Sequence, residues 1–331
     1  MAIFVFIVSF LINIFLLLGN NKIASLLNLY DKPDNYRKLH KIYVPLTGGI
    51  IIAVNIILFS ILFIFNLDYL QNFNIFFSLQ DYLLFLISLI TVFLIGFFDD
   101  KFKISAIKKL IIMTVIFLLA IIYSDDLLIK EIKVSFLKNS FFLNNQISLV
   151  WTLLCFLLFV NALNMFDGIN YQVAIYSVLI CIFFILNNYF LIFFIILTIA
   201  LIFFLILNHY NRAFLGDSGS YLLGFIFSYF FIKFYNQSNL INADQIVLFM
   251  IVPGLDLMRL FIYRIYKGKY PFTPDRNHLH HIILLKNNLV ITNIKIFLLT
   301  AIPAILGFYI GLTYILLTIQ ILFYIYLLSN K

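Results

Sequence analysis

The sequence predicts an all-α polytopic integral membrane protein, a bundle of about ten or eleven transmembrane helices. Three observations predict it. The 331 residues are 64% hydrophobic and 11% charged, with 41 Phe, 20 Tyr and a mean hydropathy of +1.09; a soluble domain carries roughly 45–50% apolar and about 25% charged residues. The apolar runs are continuous over the roughly 20 residues that a helix needs to cross a bilayer, and do not alternate as barrel strands do. Lys and Arg are segregated among the loops. A soluble enzyme, a disordered chain and a disulfide scaffold are excluded. Cys155 and Cys181 both lie inside apolar runs and read as small hydrophobes.

Taken in order, the spans are expected at about 2–19, 46–65, 82–98, 107–123, 148–166, 171–186, 189–207, 218–235, 245–263, 294–310 and 312–329. The last two form one apolar stretch divided at Gly307 and Gly311. No basic residue precedes the first span and no small-residue cleavage site follows it, so an uncleaved helix is expected. The next loop holds Lys22, Lys32, Arg37, Lys38 and Lys41, which places it in the cytoplasm and the N-terminus outside. Alternating from there puts the Lys101–Lys109 loop, Arg212 and the long 264–293 loop inside. Of the 22 Lys and Arg, only Lys130, Lys133, Lys138 and Lys233 fall outside. The net charge of +8 is therefore a topology signal, and no nucleic-acid partner is expected. With no internal repeat or linker, residues 1–331 read as a single membrane domain.

Charges near a membrane core are costly and mark function by default. Four polar clusters fall on the expected cytoplasmic face. Asp99-Asp100 closes the third span, where like charges meet the negative end of a helix dipole and call for a cation; Lys101 and Lys103 are the near candidates. Asn161 and Asn164 share a helix face before Asp167-Gly168, and their oxygens are hard ligands suited to magnesium, with helix–helix hydrogen bonding as the plainer role. Phe214-Leu215-Gly216-Asp217-Ser218-Gly219 forms a polar corner in which Asp217 or Ser218 is a candidate N-cap. Asp275-Arg276-Asn277-His278-Leu279-His280-His281 gathers three of the five histidines beside an arginine, a set suited to an anion or a metal. Elsewhere, Pro253-Gly254 is expected to bend or break the ninth span, with Asp256 and Arg259 at ion-pair spacing just after it.

These stretches, together with Leu46-Thr47-Gly48-Gly49-Ile50, resemble the polyprenyl-phosphate N-acetylhexosamine-1-phosphate transferase superfamily in order and spacing from about residue 37 to 281. The superfamily is glycosyltransferase family 4 and includes WecA-type and MraY-type enzymes. The resemblance implies transfer of an N-acetylhexosamine-1-phosphate from a UDP-sugar to undecaprenyl or another polyprenyl phosphate. UMP is released, and the product starts a lipid-linked cell-surface glycan at the inner, cytoplasmic membrane. It implies Mg2+, replaceable by Mn2+, held by Asp217 and Asn164. Asp99 and Asp100 match the paired acids near the lipid phosphate, Asp167 a further acid, and His278, His280 and His281 the histidine motif facing the diphosphate. Phe214 matches an aromatic that stacks on uracil, Asn170 a uracil contact, and Lys109 and Lys41 substrate-binding lysines, with Arg276 beside the histidines. Where many bacterial members carry Asp-Gly-x-Asp-Gly, this chain reads Asp167-Gly168-Ile169-Asn170-Tyr171. The His-x-His-His spacing is similar to the WecA side. A phospho-N-acetylmuramoyl-pentapeptide transferase of the MraY kind stands as the alternative, and an ion-coupled transporter as the alternative from another class. The sugar and the oligomeric state, a homodimer included, stay open.

Overall fold

A computed structural model of the protein describes residues 2–33, 42–65, 76, 78–238, 240–273 and 275–329. Lys41 lies outside the described residues. Among them are twelve α-helices: α1 (Ala2–Leu27), α2 (Gly48–Phe65), α3 (Leu79–Phe102), α4 (Ala106–Tyr123), α5 (Asn145–Phe166), α6 (Gln172–Leu186), α7 (Leu191–His209), α8 (Gly216–Ser238), α9 (Ala243–Tyr266), α10 (Leu279–Leu284), α11 (Leu289–Tyr309) and α12 (Thr313–Ser329). Two small antiparallel ladders accompany them, β1 (Tyr30–Asp31) with β2 (Val44–Pro45) and β3 (Glu131–Ile132) with β4 (Phe141–Phe142).

Each of the eleven expected spans falls on a helix, and α10 is an extra short helix within the 264–293 loop. Among the described residues, seven helices, α1, α3, α4, α5, α7, α9 and α11, are long and apolar enough to cross a membrane by length and composition, and α2, α6 and α12 are shorter apolar helices. Their outward side chains are apolar too. On α4, Ile107, Ile111, Val115 and Ile122 are exposed while Met113, Phe117 and Ala120 are buried. Lipid tolerates such a face because the helix satisfies its own backbone. The protein is thus an all-helical, multi-pass membrane protein. The division of the last apolar stretch falls at Gly311, whose φ of +81° ends α11, while Gly307 stays within that helix.

The chain forms two compact units, Met1–Lys109 with Ser177–Leu223, and Leu110–Tyr176 with Gly224–Lys331. In the first, α7 packs on α1 and α2, and α2 on α3. Asn13, Ser9 and Asn55 join α1 to α2 through buried side-chain hydrogen bonds of 2.8 to 3.0 Å. In the second, α9 packs on α5, α11 and α12.

Of the bend or break expected at Pro253, the break does not occur: α9 runs unbroken from Ala243 to Tyr266. A proline removes the N–H that would bind the carbonyl four residues earlier. That carbonyl, of Phe249, instead accepts from the Tyr176 hydroxyl at 2.7 Å. Pro303 within α11 is treated the same way, since the Gln320 amide donates to Leu299 O at 2.9 Å. A replaced donor lets a buried proline stay helical.

Candidate active site

In the first unit the paired acids close α3. Lys103 takes a left-handed conformation (φ 54°) and ends the helix, and the Ile104 N–H then donates to Asp99 Oδ1 at 2.6 Å. The other oxygen of Asp99 accepts from the Lys109 ammonium, in the first turn of α4. Lys109 also reaches Asp217 Oδ2 at 3.4 Å and stands over the Tyr221 ring. The cation that meets Asp99 is therefore Lys109, rather than Lys101 or Lys103.

Asp100 has a separate task. Its Oδ1 accepts the Asp217 N–H at 2.8 Å, and its Oδ2 accepts the Ser218 N–H at 3.0 Å and the Ser218 hydroxyl at 2.7 Å. It caps α8 from another helix, where the unsatisfied N–H groups and the positive dipole end favour a carboxylate. Neither Asp217 nor Ser218 is the N-cap, because α8 already starts at Gly216. Gly216 has φ +73°, and a Cβ there would stand 2.7 Å from Asp100 Oδ2. Gly49 and Gly96 let α2 and α3 approach the Ser218 backbone, since a Cβ on either would collide with it.

The Leu46–Ile50 stretch holds the same corner. Gly48 and Gly49 donate N–H bonds to the carbonyls of Phe214 and Leu215, both at 3.0 Å, and the Phe214 N–H donates to Pro45 O at 2.8 Å. Phe214 is half-buried beside Asp217. The Asp217 side chain is 35% exposed and that of Asp99 only 7%, so Asp217 is more open to a ligand than Asp99.

In the second unit, Asp167 follows α5, and its N–H bonds back to Asn164 O at 3.2 Å. Asn164, Asp167 and Asn170 are all half-buried. Asn161 donates to Leu157 O of its own helix at 2.7 Å, a bond within α5 and not one between helices. The Asn170 carbonyl accepts from Asn293 of α11 at 3.1 Å.

The histidines sit at the start of α10. His278 is its N-cap, and its Nδ1 lies 2.8 Å from Asp256 Oδ2. The ring of His280 lies parallel to that of His278, with centroids 5.3 Å apart, and His281 packs against His280 at 4.3 Å. His280 is 1% exposed, and neither ring nitrogen has a hydrogen-bond partner among the described residues. Burial holds its imidazole well below the ordinary value, and the neighbouring His281 and His278 push the same way. It packs against Gly168, where a Cβ would strike the ring.

Asp275 accepts from Arg264 at 3.0 Å and from the Asn277 N–H at 2.8 Å. Burial alone would raise its carboxyl, but these two donors hold it below the usual range. Arg276, next to Asp275, is exposed. The sequence reading missed Ser218, Tyr221 and Tyr324 as parts of these clusters. Ser218 was legible only as a cap residue, and the two tyrosines are indistinguishable in sequence from eighteen others.

Among the described residues, no three His, Cys, Asp or Glu side chains form a set that holds a metal by themselves. Magnesium does not require one, because it binds through one or two carboxylates and takes its other ligands from water and substrate phosphates. The Lys109 ammonium, lying against the carboxylates of both Asp99 and Asp217, marks a position where these acids already hold a cation. The oxygen donors of the first unit fit Mg2+.

Comparison with known proteins agrees with these motifs. The profile of glycosyl transferase family 4 matches residues 82–235. The chain is 26% identical over 291 residues to the undecaprenyl-phosphate alpha-N-acetylglucosaminyl 1-phosphate transferase of Yersinia pestis, covering 83% of this chain and 74% of that protein. It is 25% identical over 292 residues to the protein of that name from Escherichia coli strain K12, covering 83% and 74%. With the Pasteurella multocida protein of that name, identity is 29% over 291 residues, covering 84% and 77%.

Proposed function

Because this chain belongs to glycosyl transferase family 4 and resembles its WecA type, we propose that it transfers a sugar-1-phosphate to a polyprenyl phosphate. The acceptor is undecaprenyl phosphate and the donor a UDP-N-acetylhexosamine. UMP leaves, and the lipid-linked sugar starts a cell-surface glycan at the cytoplasmic membrane. The observation that carries this reading is the meeting of Asp99, Asp100, Lys109 and Asp217 from three helices in one charged cluster. A transporter reading has less support, since it calls for acids spread over several membrane depths.

Phosphoryl transfer needs positioning and charge neutralisation more than covalent chemistry by the protein. The lipid phosphate attacks the β-phosphorus of the donor, forming a new P–O bond as the bond to the UMP oxygen breaks. A phosphate monoester has its second pKa near about 6, so it is largely dianionic at neutral pH and needs little deprotonation. Asp99, pinned by Lys109 and the Ile104 N–H, orients this nucleophile. Asp217 would hold Mg2+, and the resemblance implies the same task for Asn164. The metal, when bound, neutralises charge on the diphosphate oxygens. Phe214 and Asn170 receive the uracil. His278, His280, His281 and Arg276 bind the diphosphate, with Asp167 as a further acid and Lys41 as a substrate lysine.

UMP release by purified protein tests this, with undecaprenyl phosphate, Mg2+ and a panel of UDP-N-acetylhexosamines. Release with one donor, abolished by chelator, is expected and names the sugar. A folded protein that neither releases UMP nor exchanges labelled UMP into any donor overturns the reading. Asp99→Asn activity that recovers fully at high pH makes Asp99 an essential base instead of an orienting group.

A further inference from the structure

The segment Pro253–Arg259 has no part in the reaction above, yet its Asp256 carboxylate meets four hydrogen-bond partners. Asp256 is 3% exposed. Its Oδ1 accepts from Arg259 Nη2 at 2.7 Å, from the Tyr324 hydroxyl at 3.0 Å and from the Leu279 N–H at 3.1 Å. Its Oδ2 meets His278 Nδ1 at 2.8 Å. Arg259 closes the frame by donating to the Asn277 carbonyl at 2.6 Å and to the Tyr324 oxygen at 2.9 Å. An ion pair between two helix neighbours needs none of the contacts to residues 277–279.

We propose that Asp256 is a positioning residue for the histidine loop. It sets the loop in two ways at once. As a carboxylate in the grip of Arg259 it is an acceptor, so His278 carries its hydrogen on Nδ1 and leaves Nε2 for a ligand. By taking the Leu279 N–H it also caps α10, the helix that carries His280 and His281. The His280 ring stacks parallel on the ring that Asp256 holds, so a free rotation of His278 would unseat both. The role of these histidines toward the diphosphate rests on the function proposed above; the Asp256–His278 geometry does not.

Two measurements test it. In protein labelled with 15N-histidine, the five histidines are few enough to resolve, and His278→Gln assigns the His278 signals. They are expected to report a protonated, hydrogen-bonded Nδ1 that Asp256→Asn removes. In the UMP-release assay, Asp256→Asn is expected to lose about 10²-fold and His278→Gln a similar factor, as for partners that orient a working imidazole. The double variant is expected within about 3-fold of the weaker single, since residues acting as a unit are not additive. Losses that multiply, or His278 signals unchanged in Asp256→Asn, overturn the proposal. If Asp256→Asn does not fold, Asp256→Glu carries the test: it keeps the charge, moves the acceptor by one methylene and must shift the His278 signals. Folded wild-type protein that neither releases UMP nor exchanges it into any donor overturns the proposed function, and the nitrogen signals then decide the role of Asp256 alone.

Discussion

The acid cluster of the first unit and the histidine cluster of the second both rest on a carboxylate at a helix N-terminus. Asp100 caps α8 and Asp256 caps α10. What they cap differs. In the first unit the capped residue is itself the acid Asp217, and charge meets countercharge through Lys109. In the second, the capped helix presents imidazoles, one of them fully buried with both nitrogens unpartnered among the described residues. Asp217 is met by a countercharge, whereas the imidazoles are held by hydrogen-bond geometry and ring packing. Their responses to substitution and to pH should separate accordingly.

The largest effect is expected in the first unit. Asp217→Asn should lower UMP release by about 10³-fold or more, the scale for removing a group that stabilises transition-state charge. Thermal stability should stay close to wild type, because the side chain is 35% exposed. The adjacent acids should then split. Asp100→Asn leaves the Ser218 N–H and hydroxyl short of an acceptor and should cost about 1–3 kcal/mol of stability as well as activity. Asp99→Asn should cost activity more than stability. Equal losses of melting temperature in the two variants would erase the distinction drawn between them.

How far the sequence reaches can be judged from these same residues. Continuous apolar runs are enough to find eleven helices, because lipid permits little else at that length. Lys109 is ten residues from Asp99, so its pairing lay within reach of motif spacing. The partner of Asp100 is 117 residues away on α8, and no local pattern encodes it. Pro253 reads as a bend or break from sequence because the donor that replaces its missing N–H is Tyr176, 73 residues before the Phe249 carbonyl that it serves. The two interleaved units are hidden for the same reason: composition does not change where the chain passes from one to the other.

Within the second unit, Gly168→Ala tests the packing half of the comparison. Its new Cβ would meet the His280 ring, and overpacking of this kind costs about 1–3 kcal/mol. UMP release should fall about 10-fold or more, through displacement of the histidines and with Asp217 untouched. Activity and stability both near wild type would mean that the ring moves freely.

Acid should expose the buried imidazole. His280 is held well below the ordinary value of 6.5, so between those two values the unfolded chain binds a proton there that the folded chain does not. Stability from this site is full above about pH 6.5 and is lost as pH falls, by at most about 1.4 kcal/mol per pH unit for one proton. Melting temperatures from pH 8 to 5 should decline in wild type and decline less in His280→Phe. Parallel curves for the two proteins would remove His280 as the source.

The smallest effect concerns the helix that carries Asp256. Tyr176→Phe deletes the donor to the Phe249 carbonyl, which Pro253 leaves without its helical partner. A buried carbonyl left unsatisfied costs about 1–3 kcal/mol. In Pro253→Ala the new backbone N–H supplies a partner to that same carbonyl, so Tyr176→Phe should cost less there than in the wild-type background. The difference between the two costs, read as a double-mutant cycle in melting temperature, measures how much the tyrosine compensates the proline. A cycle that closes to zero would mean that the hydroxyl merely sits beside a carbonyl already satisfied. Asp256 would then owe its position to its own bonds with Arg259, Tyr324, His278 and the Leu279 N–H.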